Sequence, residues 1–260
     1  MITSKTNPKI KNLIKCMKSG KERKKQDIFL VEGIRMFSEI PDFLHVETFV
    51  TKEFYDGYPD FFDNIAYELV SEQVMDTISD TKTPQGVVSL VKRQHYTVKE
   101  VCERDNSLIM ALENLQDPGN LGTIIRTAEG AGVTGILMSR NTVDVYNPKV
   151  VRATMGSIFR IPFCYVENLT ETVGNLKRQN FIVYSAHLQG KSFYDYDYQK
   201  PTIFCIGNEG SGLSKELSEA ANYKIKIPMR GKVESLNAAT ASTVLMYEAL
   251  RQRNSNNRQK

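Results

Sequence analysis

The sequence predicts an α/β protein with two domains: a small N-terminal α/β domain and a larger C-terminal domain built on a parallel β-sheet. Strand and helix patterns alternate along the 260 residues, and the strand segments of the second half are almost continuously apolar. Such runs are typical of parallel strands that helices cover on both faces. A polar stretch without a clear period separates the halves. It predicts domains over residues 1–95 and 107–260 and a linker over residues 96–106.

The first domain is predicted to open with a basic amphipathic helix. Its apolar residues recur at the spacing of one helical face, and its other faces carry lysine. These apolar residues are Ile10, Leu13, Ile14 and Met17. Strands are then expected in IFLVEG, HVETFV, AYELV and VVSLV, and short helices in IRMFSEI and SEQVMDTI. This alternation indicates a small α/β domain.

The second domain is predicted to be doubly wound. Strands are expected in SLIMALENL, GILMS, FIVYSAHL, TIFCIG and KIKIP, and helices in LGTIIRTAEGAG, PKVVRATMG, LTETVGNLKRQ, KELSEAAN and the C-terminal segment. Ligands of such sheets bind outside the carboxyl ends of the strands. Functional residues are therefore expected in the loops that follow the strands.

Positive charge is concentrated at the two ends of a chain whose net charge is only +4. Residues 1–25 carry nine Lys and Arg and one Glu, and residues 251–260 carry four Lys and Arg and no acidic residue. With +8 and +4 at the ends, residues 26–250 are left with a charge of −8. A polyanionic partner explains this pattern, and solvated surface helices with a frayed tail explain it equally well.

Several classes of protein are not expected. Four scattered cysteines without a C-x-x-C pair argue against a zinc cluster or a disulfide framework and favour a reducing, cytoplasmic environment. The N-terminus lacks the apolar core of a signal peptide, and no apolar run is long enough to cross a membrane. His45, His95 and His187 show no ligand spacing, so no metal is expected. His187 could line a ligand site, although a structural role is favoured.

The first candidate loop, ENLQDPGNLGTIIRTAEGAG at residues 113–132, follows a predicted strand. Pro118 with Gly119 predicts a turn, and Asn120 is placed to cap the next helix. Arg126 lies off the buried stripe of that helix. Plain structural roles would explain both polar residues: Asn120 as a helix cap, and Arg126 in an ion pair with Glu129.

The second candidate loop, GNEGSGLS at residues 207–214, has the glycine spacing of a phosphate-binding P-loop. Leu213 stands where that motif has lysine, and the Glu209 carboxylate would repel a triphosphate by roughly several kcal/mol at close range. A P-loop NTPase is therefore not expected. A ligand with hydroxyls, an amine or a positive centre is favoured. Ser211 or Ser214 is expected to cap the following helix.

The third candidate loop lies within KIKIPMRGKVESLNAATASTVLMYEALRQR, residues 224–253. Its strand is expected to end at Pro228. Ser235 is expected to cap the long C-terminal helix, with Asn237 in the first helical turn. An ordinary helix whose arginines match its dipole would explain the end of the segment. It would not explain Ser and Asn beside a glycine-bearing loop.

Together the three loops resemble the SpoU/TrmH family of RNA ribose 2′-O-methyltransferases, within the SPOUT class. The matching stretches, in order, are NLQDPGNLGTIIRTA, FCIGNEGSGLS and IPMRGKVESLNAATA. FLVEGIRMFSEI and TPQGVV resemble the family's ribosomal-protein-L30e-like substrate-binding domain, so the resemblance covers nearly the full chain. One departure is AATA after SLN, where the family more often has Val-Ser.

The resemblance implies S-adenosylmethionine as methyl donor and gives roles to individual residues. The implied cofactor-binding residues are Gly207, Asn208, Glu209, Ile227, Met229 and Leu236. The implied catalytic residues are Asn120, Arg126, Glu209, Ser235 and Asn237. The resemblance further implies a trefoil knot in the C-terminal domain and a homodimer.

The implied activity is methyl transfer to a ribose 2′-hydroxyl of structured RNA. Large-subunit rRNA is favoured, because the family's compact tRNA enzymes generally lack the L30e-like domain. Arg126 is expected to bind a phosphate and polarise the ribose oxygen, since an arginine stays protonated. Both basic ends would contact RNA phosphates, the first through Lys21, Arg23, Lys24 and Lys25. A tRNA substrate and a non-catalytic RNA-binding assembly factor remain alternatives.

Overall fold

The computed structural model describes residues 1–104 and 106–257. The chain divides into two compact units. The first holds Met1–Gln94 together with Asp144–Phe159, and the second holds His95–Val143 and the chain from Arg160 onward. In the described part of the chain, no helix is both long and apolar enough to cross a bilayer.

Helices and strands alternate as the sequence predicts. In the first 94 residues they are α1 (Pro8–Lys18), α2 (Gly20–Gln26), β1 (Ile28–Glu32), α3 (Ile34–Phe37), β2 (His45–Thr51), α4 (Lys52–Gly57), β3 (Tyr67–Val70), α5 (Glu72–Ile78) and β4 (Val87–Lys92). The following elements are α6 (Val98–Cys102), β5 (Leu108–Leu112), α7 (Pro118–Gly130), β6 (Gly135–Ser139), α8 (Pro148–Thr154), β7 (Phe163–Val166), α9 (Leu169–Arg178), β8 (Ile182–Ser192), β9 (Thr202–Ile206), α10 (Lys215–Ala220), β10 (Tyr223–Lys226) and α11 (Ala238–Asn257). The sequence reasoning missed the short elements α4 and β7, which are six and four residues long.

The first unit contains a four-stranded sheet in the order β1-β4-β2-β3. Strand β4 is antiparallel to both neighbours, and β2 is parallel to β3. Helices α1 and α5 bury their apolar side chains against this sheet. The predicted stripe of α1 is confirmed: Ile10 and Leu13 are buried, and Ile14 and Met17 are partly buried against the same core.

Residues 144–159 fold with the first unit, whereas the sequence reasoning placed them in the second domain. Helix α8 packs on β1. Close by, the ring centroids of Tyr146 and Phe29 are 4.7 Å apart, and those of Phe29 and Phe159 are 6.0 Å apart. Contacts between residues so distant in sequence leave no mark on local periodicity, so pattern reasoning could not place this segment.

Arg23, predicted to contact RNA, is a buried structural residue. It is 5% exposed, and its guanidinium donates hydrogen bonds to the carbonyl oxygens of Cys16 and Met17 at 2.9 and 3.3 Å. It also pairs with the Asp144 carboxylate at 2.7 Å. Helix α2 lies against α1, so one face of this lysine-rich helix must be covered. The other three predicted contacts are exposed: Lys21, Lys24 and Lys25.

The stretch expected to be a linker, residues 96–106, contains α6. The Thr97 hydroxyl accepts a hydrogen bond from the Glu100 N–H at 3.3 Å, and the Glu100 carboxylate accepts one from the Thr97 N–H at 2.7 Å. This capping box is visible in TVKE. Val101 and Cys102 are buried in the core of the second unit. Asp105, also in the predicted linker, lies outside the described residues.

The second unit contains a six-stranded sheet in the order β10-β8-β9-β5-β6-β7, and every neighbouring pair is parallel. The predicted parallel sheet is therefore confirmed. Strands β5 and β9 are buried along their whole length. Because they are neighbours, the loops that leave their carboxyl ends start side by side. The trefoil knot remains a prediction from the resemblance.

Replacing Arg23 by methionine should destabilise the first unit, because Asp144 and two carbonyl groups would lose their donor. Asp144 is partly hydrated, so we expect a loss of roughly 1–3 kcal/mol in the free energy of unfolding. Urea unfolding measures it. The control Lys24→Met removes an exposed charge from the same helix and should cost less than about 0.5 kcal/mol. Equal effects of the two substitutions would contradict a structural role for Arg23.

Candidate functional site

The carboxylate of Glu209 ties the second loop to the first. Its Oε1 accepts hydrogen bonds from the Asn120 side-chain amide at 2.9 Å and from the Asp117 N–H at 3.0 Å. Its Oε2 accepts one from the Gln116 N–H at 3.1 Å. The first loop thus presents several donors to one acceptor. The Glu209 carboxylate, which would repel a triphosphate, therefore binds backbone N–H groups of the protein itself.

These donors also favour the ionised form of Glu209. Partial burial opposes ionisation, but hydrogen bonds from Asn120 and from backbone N–H groups outweigh it and hold the pKa of Glu209 below its ordinary value. A carboxylate with both oxygens engaged and a lowered pKa is a poor proton acceptor. Its geometry is that of a residue that positions the loops.

Two asparagines extend this connection to the third loop. The Oδ1 of Asn120 accepts a hydrogen bond from the Asn237 side-chain amide at 2.9 Å. The Oδ1 of Asn237 accepts from the N–H groups of Ala239 and Thr240 at 2.9 and 3.3 Å, in the first turn of α11. A continuous set of hydrogen bonds, the Glu209–Asn120–Asn237 junction, therefore joins all three loops. Three of the five predicted catalytic residues meet in it.

Two predicted helix caps are wrong. Helix α7 is capped by Asp117, whose side chain accepts from the Asn120 N–H at 2.7 Å, and Pro118 is its first residue. Pro118 and Gly119 therefore start the helix and do not form a turn before it. Helix α11 is capped by Asn237, and Ser235 lies outside the helix. Because Asp117 does the capping, the Asn120 side chain is free to reach Glu209.

The second loop folds back on itself. Asn208 and Gly212 exchange two backbone hydrogen bonds of 3.0 and 2.9 Å. A Cβ on Gly207 would lie 2.1 Å from the carbonyl carbon of Gly212, so only glycine fits at position 207. Gly212 itself has a φ of 70°, in the left-handed region. The glycines thus serve a tight turn of the protein backbone.

A second carboxylate, Glu113, holds the far end of this loop and was missed by the sequence reasoning. It is 8% exposed and accepts from the Ser214 N–H at 2.6 Å and the Ser214 hydroxyl at 2.7 Å. Ser214 in turn caps α10 by accepting from the Leu217 N–H at 3.2 Å. It is one of the two serines predicted for this cap. An acidic residue directly after a buried strand is the signal that could have identified Glu113.

The second and third loops line a cavity of about 870 Å³, within the range of small-molecule sites. All six residues predicted to bind the cofactor line it: Gly207, Asn208, Glu209, Ile227, Met229 and Leu236. Ser235 and Asn237 also line it, and so does His187, whose Nδ1 accepts from the Gln189 N–H at 3.1 Å. Asn120 and Arg126 are not among the lining residues.

Arg126 is exposed on α7, six residues beyond Asn120, or about 9 Å along the helix. Among the described residues it has no hydrogen-bond or ion-pair partner. The alternative ion pair with Glu129 is not formed, and Glu129 binds Arg160 at 2.6 Å instead. The Arg126 guanidinium is thus left available for an anion.

Of the two described arginines near the end of α11, Arg253 is structural and Arg251 is exposed. Arg253 donates hydrogen bonds to four backbone carbonyl oxygens, those of Asn106, Ser107, Tyr198 and Lys200. Arg251 pairs with Glu248 at 2.8 Å. The prediction that the C-terminal end contacts RNA is therefore wrong for Arg253, whose guanidinium is fully engaged. Arg258 and Lys260 lie outside the described residues.

The described residues contain neither a candidate metal site nor an exposed cysteine thiol. No group of three or more His, Cys, Asp or Glu side chains in them is arranged to hold a metal ion. All four cysteines are buried. Burial raises the pKa of the Cys164 thiol to about 11, and burial together with Cys164 raises that of Cys102 to about 12. Protonated, buried thiols of this kind are unreactive.

Known families match both parts of the chain. The SpoU rRNA Methylase family matches residues 107–247, which contain all three loops, and the MRM3-like substrate binding domain matches residues 7–89. The parallel sheet, the joined loops and the cavity define an α/β protein with a ligand site at the ends of its strands, and the family match makes it a methylase. The chain belongs to the SpoU rRNA methylase family.

Relatives extend the match to the full chain. RlmP of Bacillus subtilis, a 23S rRNA (guanosine(2553)-2′-O)-methyltransferase, is 32% identical over 95% of this chain and 97% of its own. A 23S rRNA (uridine(2479)-2′-O)-methyltransferase of Streptomyces viridochromogenes is 32% identical over 71% of this chain and 67% of its own. The crystal structure of an AdoMet-bound rRNA methyltransferase from Sinorhizobium meliloti matches with a TM-score of 0.86 and 31% identity, over 96% of this chain and 97% of its own.

Replacing Glu209 by glutamine should loosen the first loop, because a side-chain donor would replace one acceptor oxygen. We expect amide hydrogen exchange at Gln116 and Asp117 to accelerate by about tenfold or more, as the loss of about 1.4 kcal/mol would produce. The control Glu234→Gln removes another carboxylate that lines the cavity and should leave this exchange unchanged.

The same protection should depend on pH. The folded pKa of Glu209 is lowered, so its contribution is fully present above the ordinary value of 4.5 and is lost as the pH falls through the folded pKa. After correction for intrinsic exchange rates, wild-type protection should decline in acid, whereas Glu209→Gln should show no such step. Identical protection in the two proteins at neutral pH would contradict the role given to Glu209.

Proposed function

We propose that the chain transfers a methyl group from S-adenosylmethionine to a ribose 2′-hydroxyl of rRNA. The observation that carries the proposal is the Glu209–Asn120–Asn237 junction, which joins the three family loops beside one cavity. Two relatives named as 23S rRNA 2′-O-methyltransferases support both the reaction and the class of RNA. The two relatives are named for different target nucleotides, so sequence similarity to them does not identify the nucleotide that this chain methylates.

The cavity suits S-adenosylmethionine. Ile206, Ile225 and Leu245 offer apolar surface to an adenosine, and the turn at residues 207–212 and the irregular segment 227–229 bring backbone groups to the cavity wall. The carboxylates of Glu209 and Glu234 tolerate a positive sulfonium and would repel a triphosphate. When bound, S-adenosylmethionine supplies a methyl group that its sulfonium makes electrophilic.

The chain's own residues would orient the RNA and stabilise charge. The Arg126 guanidinium stays protonated at any working pH, so it suits an RNA phosphate and the negative charge that develops on the ribose oxygen. The Ser235 hydroxyl lines the cavity and has no hydrogen-bond partner among the described residues, so it is available to the ribose hydroxyl. The junction fixes the loops and leaves the proton transfer to other groups.

RNA binding by the first unit is supported by its exposed lysines. Helices α1 and α2 expose seven of them; Lys9 is paired with Glu47 and Glu68, and the other six are Lys11, Lys15, Lys18, Lys21, Lys24 and Lys25. Such a row of flexible cations suits the phosphate backbone of RNA, which contributes affinity without reading the base sequence. The match of residues 7–89 to a substrate-binding domain supports the same role. We further expect a homodimer, as the resemblance implies.

Substituting Arg126 by alanine should lower methyl transfer by about 100-fold or more, the usual cost of losing one group that stabilises transition-state charge. Tritium transferred from labelled S-adenosylmethionine should appear in alkali-resistant dinucleotides of rRNA, which marks the ribose as the site of methylation. Calorimetry should give a cofactor affinity within a few-fold of wild type. The control Arg178→Ala changes another exposed helical arginine and should retain full activity.

Retained turnover by Arg126→Ala would remove this residue from the catalytic site. Label found in the bases would contradict the proposed reaction. Label found only in tRNA would contradict the proposed substrate.

Changing Lys21, Lys24 and Lys25 to glutamine should weaken rRNA binding and make it less sensitive to salt. Each lost phosphate contact lowers the slope of log affinity against log salt concentration by about 0.7–0.9. Filter binding at several salt concentrations measures this slope. Changing three other exposed lysines, Lys82, Lys92 and Lys99, serves as the control. Equal slopes for the two triple variants would show that the lysines of α2 are only solvated.

A further inference from the structure

The first unit exposes a group of aromatic rings that its core does not require. Phe37 and Phe62 are buried, at 4% and 5% exposure; Phe61 packs on Phe37 and Tyr67 on Phe62, with ring centroids 5.8 and 5.2 Å apart. Tyr58, Phe61 and Tyr67 are 45%, 40% and 37% exposed. Tyr58 and Phe61 stack with centroids 5.7 Å apart and ring planes only 13° apart. Together with Tyr67 they form an exposed aromatic patch, a feature that commonly marks a binding site.

The segment that carries these rings is strongly acidic. Residues 41–70 contain seven Asp and Glu and a single Lys. Three of the carboxylates are neutralised, since Glu47 and Glu68 pair with Lys9, and Asp56 pairs with Lys52. The other four are exposed and lack an ion-pair partner among the described residues: Asp42, Glu53, Asp60 and Asp63. Asp60 and Asp63, which share a six-residue segment with Tyr58 and Phe61, are termed with Tyr58, Phe61 and Tyr67 the aromatic-acidic face.

The negative charge around these rings favours a cationic partner over RNA. Exposed rings can stack on RNA bases, but each stacked base brings a phosphate, and stacking sites on RNA-binding proteins set the rings among cations. The segment that carries the aromatic-acidic face has four carboxylates without an ion-pair partner among the described residues, and its one lysine is already paired. The lysines suited to RNA are carried by α1 and α2. The two surfaces of the unit are thus opposite in charge.

We propose that the aromatic-acidic face binds a lysine- and arginine-rich polypeptide segment. Cations are attracted to the faces of tyrosine and phenylalanine rings, and a guanidinium also stacks on them. Carboxylates beside the rings supply charge-assisted hydrogen bonds to the same side chains. The stacked Tyr58–Phe61 pair and the carboxylates of Asp60 and Asp63 offer both kinds of contact within six residues of chain.

This binding would let the enzyme distinguish a ribonucleoprotein from bare RNA. A substrate whose RNA carries basic protein would engage α1 and α2 through phosphates and the aromatic-acidic face through protein. That consequence rests on the proposed function. The binding of a basic segment is independent of the proposed function. Peptide binding and substrate choice are therefore tested separately.

The binding test uses the full chain and a fluorescein-labelled 14-residue peptide of alternating Arg, Lys and Gly, with a matched peptide in which Gln replaces every Arg and Lys. Fluorescence anisotropy at 150 mM salt gives the affinities. One variant, Tyr58→Ala with Phe61→Ala, leaves the charge unchanged. A second, Asp60→Asn with Asp63→Asn, leaves the rings unchanged. The control, Asp76→Asn with Glu216→Gln, removes two exposed carboxylates elsewhere.

We expect the basic peptide to bind the wild-type chain and the Gln peptide not to bind. Each face variant should bind the basic peptide at least about tenfold more weakly than wild type, equivalent to about 1.4 kcal/mol. The control should lower the affinity by less than about twofold. Equal weakening by the control, or binding of the Gln peptide, would overturn the proposal. So would loss of oligouridine binding in the Tyr58→Ala, Phe61→Ala variant, which would mark the face as an RNA site. Loss of self-association in that variant would mark it as an interface with a second copy.

The consequence for substrate choice is tested by methylation. The Tyr58→Ala, Phe61→Ala variant should methylate protein-free rRNA at the wild-type rate and a ribosomal particle about tenfold more slowly, matching the loss in peptide affinity. Equal rates on the particle would contradict the role of the face in substrate choice. An absence of methylation by the wild-type chain on either substrate would count against the proposed function and leave the peptide result standing.

Discussion

The site depends on three hydrogen bonds that the Glu209 carboxylate accepts from the first loop. Gln116 and Asp117 supply two of the donors from the segment between β5 and α7, and Asn120 supplies the third from the first turn of α7. Without the Glu209 carboxylate, these donors would bind water, and residues 116–120 would not be held beside the second loop. Asn120 passes the constraint to Asn237, so one carboxylate sets the relative position of three segments far apart in sequence.

The parallel sheet makes this arrangement possible. Strands β5 and β9 are neighbours, so their loops begin side by side, and Glu113 fastens the second loop at its far end. The cavity beside these loops takes its shape from tight turns, such as the one at Gly207 where a side chain has no room. Arg126 stands outside this network and has no partner among the described residues, as suits a residue whose partner is the substrate.

Sequence patterns predicted most elements and the loops that carry the site, because strand burial and helix periodicity are local. They did not reveal that residues 144–159 join the first unit, or that Arg23 and Arg253 bind backbone carbonyls. A buried arginine and an RNA-binding arginine look alike in sequence, and only the tertiary contacts tell them apart. The choice between Asp117 and Asn120 as the cap of α7 also depends on what the other side chain can reach.

The most direct test of the account is calorimetric titration of S-adenosylmethionine into the wild-type chain and into Asn120→Leu, with Thr123→Val on the same helix as control. Asn120 does not line the cavity, so its effect must pass through the junction that orders the loops. We expect the wild type and the control to bind S-adenosylmethionine, and Asn120→Leu to bind it at least about tenfold more weakly, the cost of one buried hydrogen-bonded link. Equal affinity in all three proteins would contradict this expectation.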